Sequence, residues 1–289
     1  MTPVDDLPPW RRVLHASGWV VAYLIGGLAL TTGLLYVASR ALGPAVLAAD
    51  ETLFLALQGG LNLVAFAGMT WLVGRRALRL GWDEIGLRDG RGARGFGLGL
   101  LGAAAMAALA IAAALPLAGA RWLPDDGTAT EYAAQVAGVA ALLAPAALAE
   151  ELMFRGVPLV VLASAIGRGG ALVVLALAFG LLHAGNPGVT SLALGNIALA
   201  GVFLSLAFYA PGRLWTAWGA HLGWNVTIAA LDAPVSGLPM AIPFIDYDPG
   251  APAWLSGGAF GPEGGVLATA TLLAGCLYLG RAARKDDVA

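Results

Sequence analysis

Three short polar runs interrupt long apolar stretches of the chain: Glu150 and Glu151 with Arg155, His183 behind Phe179, and His221 with Asn225. A charged side chain at bilayer depth costs at least about 2.5–3.5 kcal/mol on insertion scales, so it is kept where it has a partner and a task. A carboxylate, two imidazoles and an amide suit hydrolysis. Glu150 would deprotonate a water with help from His183, while His221 and Asn225 would donate hydrogen bonds to the tetrahedral oxyanion of a peptide carbonyl.

Spacing divides the labour within each run. Glu151 and Arg155 are i, i+4, which puts them on one helix face in the favourable order for an ion pair. Glu150 points about 100° away, which leaves it without that partner and free to act as the base. Its carboxyl, in apolar surroundings with no cation, would have its pKa raised. Pro145 should kink this helix, and Gly156 and Pro158 should end it. His221 and Asn225 are also i, i+4 and project from one face. Gly219 and Gly223 form a small-xxx-small pair on a neighbouring face, which lets another helix approach closely.

Each run has a bland reading too. A charged helix end, a satisfied buried imidazole and a hydrogen bond between helices would each be ordinary. The chain has three histidines and two of them lie in apolar segments, so a shared polar cavity explains the three runs together. Ser164, Ser191 and Ser205 also fall in apolar segments, but none has a base at helical spacing, which argues against a serine nucleophile. Glu150, His183 and His221 could supply the three protein ligands of a catalytic zinc or similar divalent metal. No H-E-x-x-H motif accompanies them, so the metal question stays open.

The elements that must position these residues are membrane spans. Hydrophobic residues make up 59% of the chain and charged residues 12%, and the mean hydropathy is +0.78. That composition excludes an ordinary soluble domain, and no basic patch of the kind that binds nucleic acid is present. The expected fold is an all-α polytopic membrane helical bundle of about eight transmembrane helices. Apolar runs of span length fall at 17–38, 53–73, 96–119, 132–153, 169–184, 190–210, 213–231 and 264–280.

Eight spans put both termini on one side. Of the sixteen basic residues, all but Arg40 and Arg121 then fall on that side, so both termini should be cytoplasmic. The expected location is the inner (cytoplasmic) membrane of a bacterium, with the lipid bilayer as surroundings and a membrane-embedded protein or peptide as partner. Residues 1–95 hold two spans and a basic cytoplasmic loop, in which Trp82–Leu87 reads as an amphipathic stretch on the inner leaflet. Residues 96–231 form the core that carries the polar runs, and 232–289 an external loop and the last span, all in one membrane domain. That loop contains Asp232, Asp246, Asp248 and Glu263, no Lys or Arg, and would serve as a lid. The single cysteine, Cys276, excludes an internal disulfide.

At the polar runs the chain resembles the CPBP intramembrane proteases, which include the type II CAAX prenyl endopeptidases and the bacteriocin-processing or Abi proteins. That family's pattern is E-E-x-x-x-R, then F-x-x-x-H, then H-x-x-x-N, on successive helices of an eight-helix bundle. Here the pattern is met by Glu150, Glu151 and Arg155, by Phe179 and His183, and by His221 and Asn225. Gly86-Leu87-Arg88 also resembles the segment before the family's core, so the resemblance covers roughly residues 80–231. It implies an endopeptidase with Glu150, His183, His221 and Asn225 as catalytic residues and Glu151, Arg155 and Phe179 as support. The metalloprotease label that family members bear does not fix a metal, and prenylated substrates are not implied for a bacterial member. Two other functions remain open on the residues alone. One is a non-catalytic membrane partner or bacteriocin self-immunity protein that retains the cavity; the other is a proton-coupled transporter using Glu and His as a relay.

Overall fold

The computed structural model describes residues 8–44, 46 and 51–286. Among these are eight helices of seventeen residues or more: α1 (Pro9–Leu42), α2 (Glu51–Met69), α3 (Gly92–Ala118), α4 (Ala129–Phe154), α5 (Val157–Leu182), α6 (Ser191–Tyr209), α7 (Leu214–Ala230) and α8 (Val266–Asp286). The chain is a helical membrane protein. Among the described residues, five stretches are long and apolar enough to cross a bilayer: Pro9–Leu42, Thr52–Ala77, Gly92–Ala118, Ala129–Leu182 and Ser191–Tyr209. The fourth contains both α4 and α5. Helix α7 has 17 residues and buries side chains on every face, as a helix apolar all round must.

The fifth helix departs most from expectation. It starts at Val157 rather than near 169, and Gly167 (φ 75°, ψ 161°) breaks it into two limbs. Pro158 therefore opens a helix instead of ending one. A proline in the first turn lacks an N–H that would be unpaired there in any case. The break after α4 falls at Arg155–Gly156, and α4 itself runs through Pro145.

Two compact units can be described, each by itself. The first comprises Met1–Asp89 and Leu142–Leu175. Here Gly27 leaves room for the ring of Phe66, which would lie 2.4 Å from an added Cβ, so α1 and α2 pack closely. The buried Tyr23 hydroxyl donates to the Leu152 carbonyl at 2.9 Å and stands 3.0 Å from the Thr70 hydroxyl. Leu152 lies in the last turn of α4, where carbonyls have no helical donor, so Tyr23 caps the helix end that carries Glu150 and Glu151. Past Met69, α2 continues as a π-helical stretch, Thr70–Ala77. The Trp82–Leu87 segment is folded as turns, with Ile85 fully buried. The Arg75 guanidinium lies over the Trp82 ring at 5.0 Å.

The second unit comprises Gly90–Ala141 and Ala176–Ala289. Its main contact is between α3 and α7. A Cβ added at Gly219 would lie 2.1 Å from the Phe96 carbonyl oxygen, and one at Gly223 would lie 2.1 Å from that of Leu100. Gly99 meets the Thr216 carbonyl in the same way, at 2.3 Å. Backbone touches backbone across this seam, so the small pair on α7 is matched by a small residue on α3. Helix α6 packs on α7 and α8, and α8 packs on α3.

The 232–265 segment is a built cap rather than a slack loop. Strands β1 (Arg121–Pro124) and β2 (Ile245–Asp248) pair antiparallel, with Arg121 opposite Asp248 and an ion pair between the two side chains at 3.0 Å. Asp232, at φ 56°, accepts the Ile242 N–H at 3.0 Å and the Tyr247 N–H at 3.3 Å. Ala233, Val235, Ile242 and Phe260 are all buried. Burial pushes the Asp232 carboxyl above its ordinary range, and the two backbone donors pull it back.

The glycine seam makes a sharp prediction. Gly223→Ala should destabilise the folded protein by about 1–3 kcal/mol or more, because the new methyl overlaps a carbonyl that belongs to another helix. Gly102, also on α3, has nothing within 4 Å of an added Cβ, so Gly102→Ala should be neutral or gain up to about 1 kcal/mol. Unfolding in detergent, followed by denaturant titration of both variants, checks the contrast.

Candidate active site

The carboxylate group lies in the first unit, at the C-terminal end of α4. Arg155 donates from Nη1 to Glu151 Oε1 at 3.0 Å, and the two side chains are 1% and 0% exposed. Two carboxylates in the last turn oppose the helix dipole, whose negative end lies there. Arg155, one residue past the end, supplies the offsetting charge. Glu150 is half-buried, and Arg155 interacts electrostatically with it as well as with Glu151. The expected contrast between a paired and a solitary carboxylate is thus one of degree. Glu151 holds a hydrogen bond from Arg155, and Glu150 interacts with the same cation.

The imidazoles and the amide lie in the second unit. His183 sits one residue past the end of α5 and is half-buried. Its Nδ1 is 2.8 Å from the Phe179 carbonyl. A carbonyl can only accept, so Nδ1 carries the proton and Nε2 is the atom of the neutral ring that can take one. The Phe179 ring packs against both imidazoles, 4.9 Å from His183 and 6.0 Å edge-on to His221 between ring centroids. His221 is 8% exposed on α7, and Asn225, one turn further along, is half-buried. Phe179, His183 and His221, separated in sequence, are therefore gathered into one cluster.

The other sequence candidates resolve simply. Ser164 donates to the Val161 carbonyl and Ser205 to the Gly201 carbonyl, both at 2.8 Å, so both hydroxyls are engaged with their own helices. Among the described residues, no three His, Cys, Asp or Glu side chains form a set that could hold a metal ion. The conditional set of Glu150, His183 and His221 is divided between the two units, and no reaction step is assigned to a metal.

One carboxylate beside this cluster was not singled out from sequence. Glu263 is 5% exposed; its Oε1 accepts from Trp224 Nε1 at 3.2 Å, and its Oε2 accepts from the Ser236 hydroxyl at 2.9 Å and from the Ser236 backbone N–H. Burial pushes its carboxyl above the ordinary range, while the Ser236 and Trp224 donors and the nearby His183 pull it back. In the sequence it stands in Gly261-Pro262-Glu263-Gly264-Gly265 and looks no different from the loop's three aspartates.

The buried ion pair yields a double-mutant prediction. Arg155→Leu should cost about 3–5 kcal/mol, because it strands the Glu151 charge away from water. Replacing both partners, Glu151→Leu with Arg155→Leu, should cost less than Arg155→Leu alone. Unfolding free energies of the three variants in micelles measure this coupling.

Comparison with known proteins adds a similarity to one family over part of the chain. Neither the curated proteins nor the solved structures contain a significant match to the chain. The match to a protein family runs from the first turn of α4 to the last turn of α7, and that stretch encloses all three polar runs. Residues 132–227 match the family described as Rce1-like, type II CAAX prenyl endopeptidase Rce1-like.

Proposed function

We propose that the chain is an intramembrane endopeptidase that hydrolyses a peptide bond of a membrane-associated protein or peptide. Glu150 takes a proton from water, assisted by Nε2 of His183, and the water oxygen adds to the scissile carbonyl carbon. The carbonyl oxygen becomes an oxyanion, which accepts hydrogen bonds from His221 and the Asn225 amide. Collapse of the tetrahedral species breaks the C–N bond, and the proton held at Glu150 passes to the leaving amine. Atoms balance with water as the only co-reactant.

The observation that carries this reading is that the family match at 132–227 contains every residue the mechanism uses. Two features of the site support it. The His183 tautomer leaves Nε2 available as a base, and Phe179 holds both imidazoles in one cluster. Glu151 and Arg155 act as support, fixing the helix end on which Glu150 stands. The distribution of basic residues supports an orientation with both termini cytoplasmic. In that frame residues 96–231 form the core and the 232–265 segment caps it from outside.

Two predictions follow from the roles. Mass-spectrometric mapping of new termini in the membrane proteome should find a set made by wild-type protein that is missing with Glu150→Ala inserted at equal level. Identical termini from the two would contradict the proposal and favour a non-catalytic partner. On a substrate found in this way, Asn225→Ala should lower kcat by roughly 10²–10³ with little change in KM, the loss typical of removing one oxyanion donor.

A further inference from the structure

Glu263 is buried, and the His183 ring acts on it electrostatically.

 Donors converge on both of its oxygens: the Trp224 indole on one, and the hydroxyl and backbone N–H of Ser236 on the other. A site with donors on both sides suits an acceptor-only group, which is an ionised carboxylate. An amide at this place would set its own N–H₂ against one of those donors.

The donors tie three pieces of the second unit together. Trp224 immediately precedes Asn225 on α7. The Ser236 carbonyl accepts from the Asn186 side chain at 2.8 Å, and the Asn186 N–H bonds to the His183 carbonyl at 3.1 Å. The Glu263 backbone is itself held, because Asn196 Nδ2 donates to the carbonyls of Glu263 and Gly265 at 2.7 and 2.9 Å. Close contact at the turn leaves little slack: a Cβ added at Gly237 would lie 2.2 Å from the Pro187 carbonyl oxygen. One carboxylate thus joins the cap, the turn that carries His183 and the helix that carries Asn225.

We propose that Glu263 is a positioning residue for the imidazole and amide groups, clasping the 232–265 cap onto the His183 turn and the Asn225 helix so that both side chains are held in place. The inference rests on the hydrolytic roles proposed for His183 and Asn225. Glu263 does not touch the reacting atoms; it acts through Ser236, Asn186 and Trp224.

The test uses the full chain in nanodiscs with ¹⁵N-labelled histidine. The chain has three histidines, so each ring can be assigned by substitution. Glu263→Gln should move the ring resonances of His183, leave those of His15 in place and keep the unfolding temperature within a few degrees. The same variant should lower the yield of Glu150-dependent termini by up to about a hundredfold, as misplacement of reacting groups does. Ser236→Ala, which keeps the charge and two of the three donors, should move His183 in the same direction by less. This variant decides the matter if Glu263→Gln does not fold. Unchanged His183 resonances in the folded variants would overturn the proposal. The reading on which it rests fails separately, if Glu150→Ala yields the wild-type termini.

Discussion

Contact between the backbones of α3 and α7 is the constraint on which the second unit depends. Gly99, Gly219 and Gly223 bring carbonyl oxygens to distances where no side chain fits. In lipid, apolar side chains gain little by leaving the surroundings for each other, so close packing and hydrogen bonds must hold helices together. The seam fixes the helix that carries His221, Trp224 and Asn225. With α7 held in this way, its remaining faces are buried among its neighbours, and the cap can reach the Trp224 indole.

The chain handles buried carboxylates in two ways. Glu151 is neutralised by a cation one turn away on the same stretch of chain, with a 3.0 Å contact. Glu263 is solvated by neutral donors drawn from distant segments. The first solution is local and stiffens a helix end whose dipole would otherwise disfavour two acidic side chains. The second fastens a cap. Both spare the protein the several kcal/mol that an unsolvated buried charge would cost. Glu150, which is half-buried, stands beside Glu151 on the same helix end and interacts with the same arginine.

What could be read from sequence was the local part. The i, i+4 spacings of Glu151 with Arg155 and of His221 with Asn225 are properties of any helix, and the Gly219–Gly223 pair announces a close neighbour without saying which. Apolar runs located the helices because their length is set by the bilayer. The first limb of α5 was missed because Pro158 reads equally as a helix end or a first-turn residue; the Arg155–Gly156 break decides between them. Glu263 was not distinguishable because its partners are remote in sequence, 27 residues away at Ser236 and 39 at Trp224. No periodicity encodes such a contact. The short strand pair was hidden for the same reason, since β1 and β2 lie more than a hundred residues apart.

The most direct test of carboxylate-dependent hydrolysis in the membrane is reconstitution. Purified wild-type protein and Glu150→Gln would each be placed in liposomes with one membrane substrate, and the products sequenced over time. The account predicts that wild-type protein alone suffices to cut the substrate and that equally folded Glu150→Gln does not. Cleavage by Glu150→Gln at the wild-type rate would contradict it.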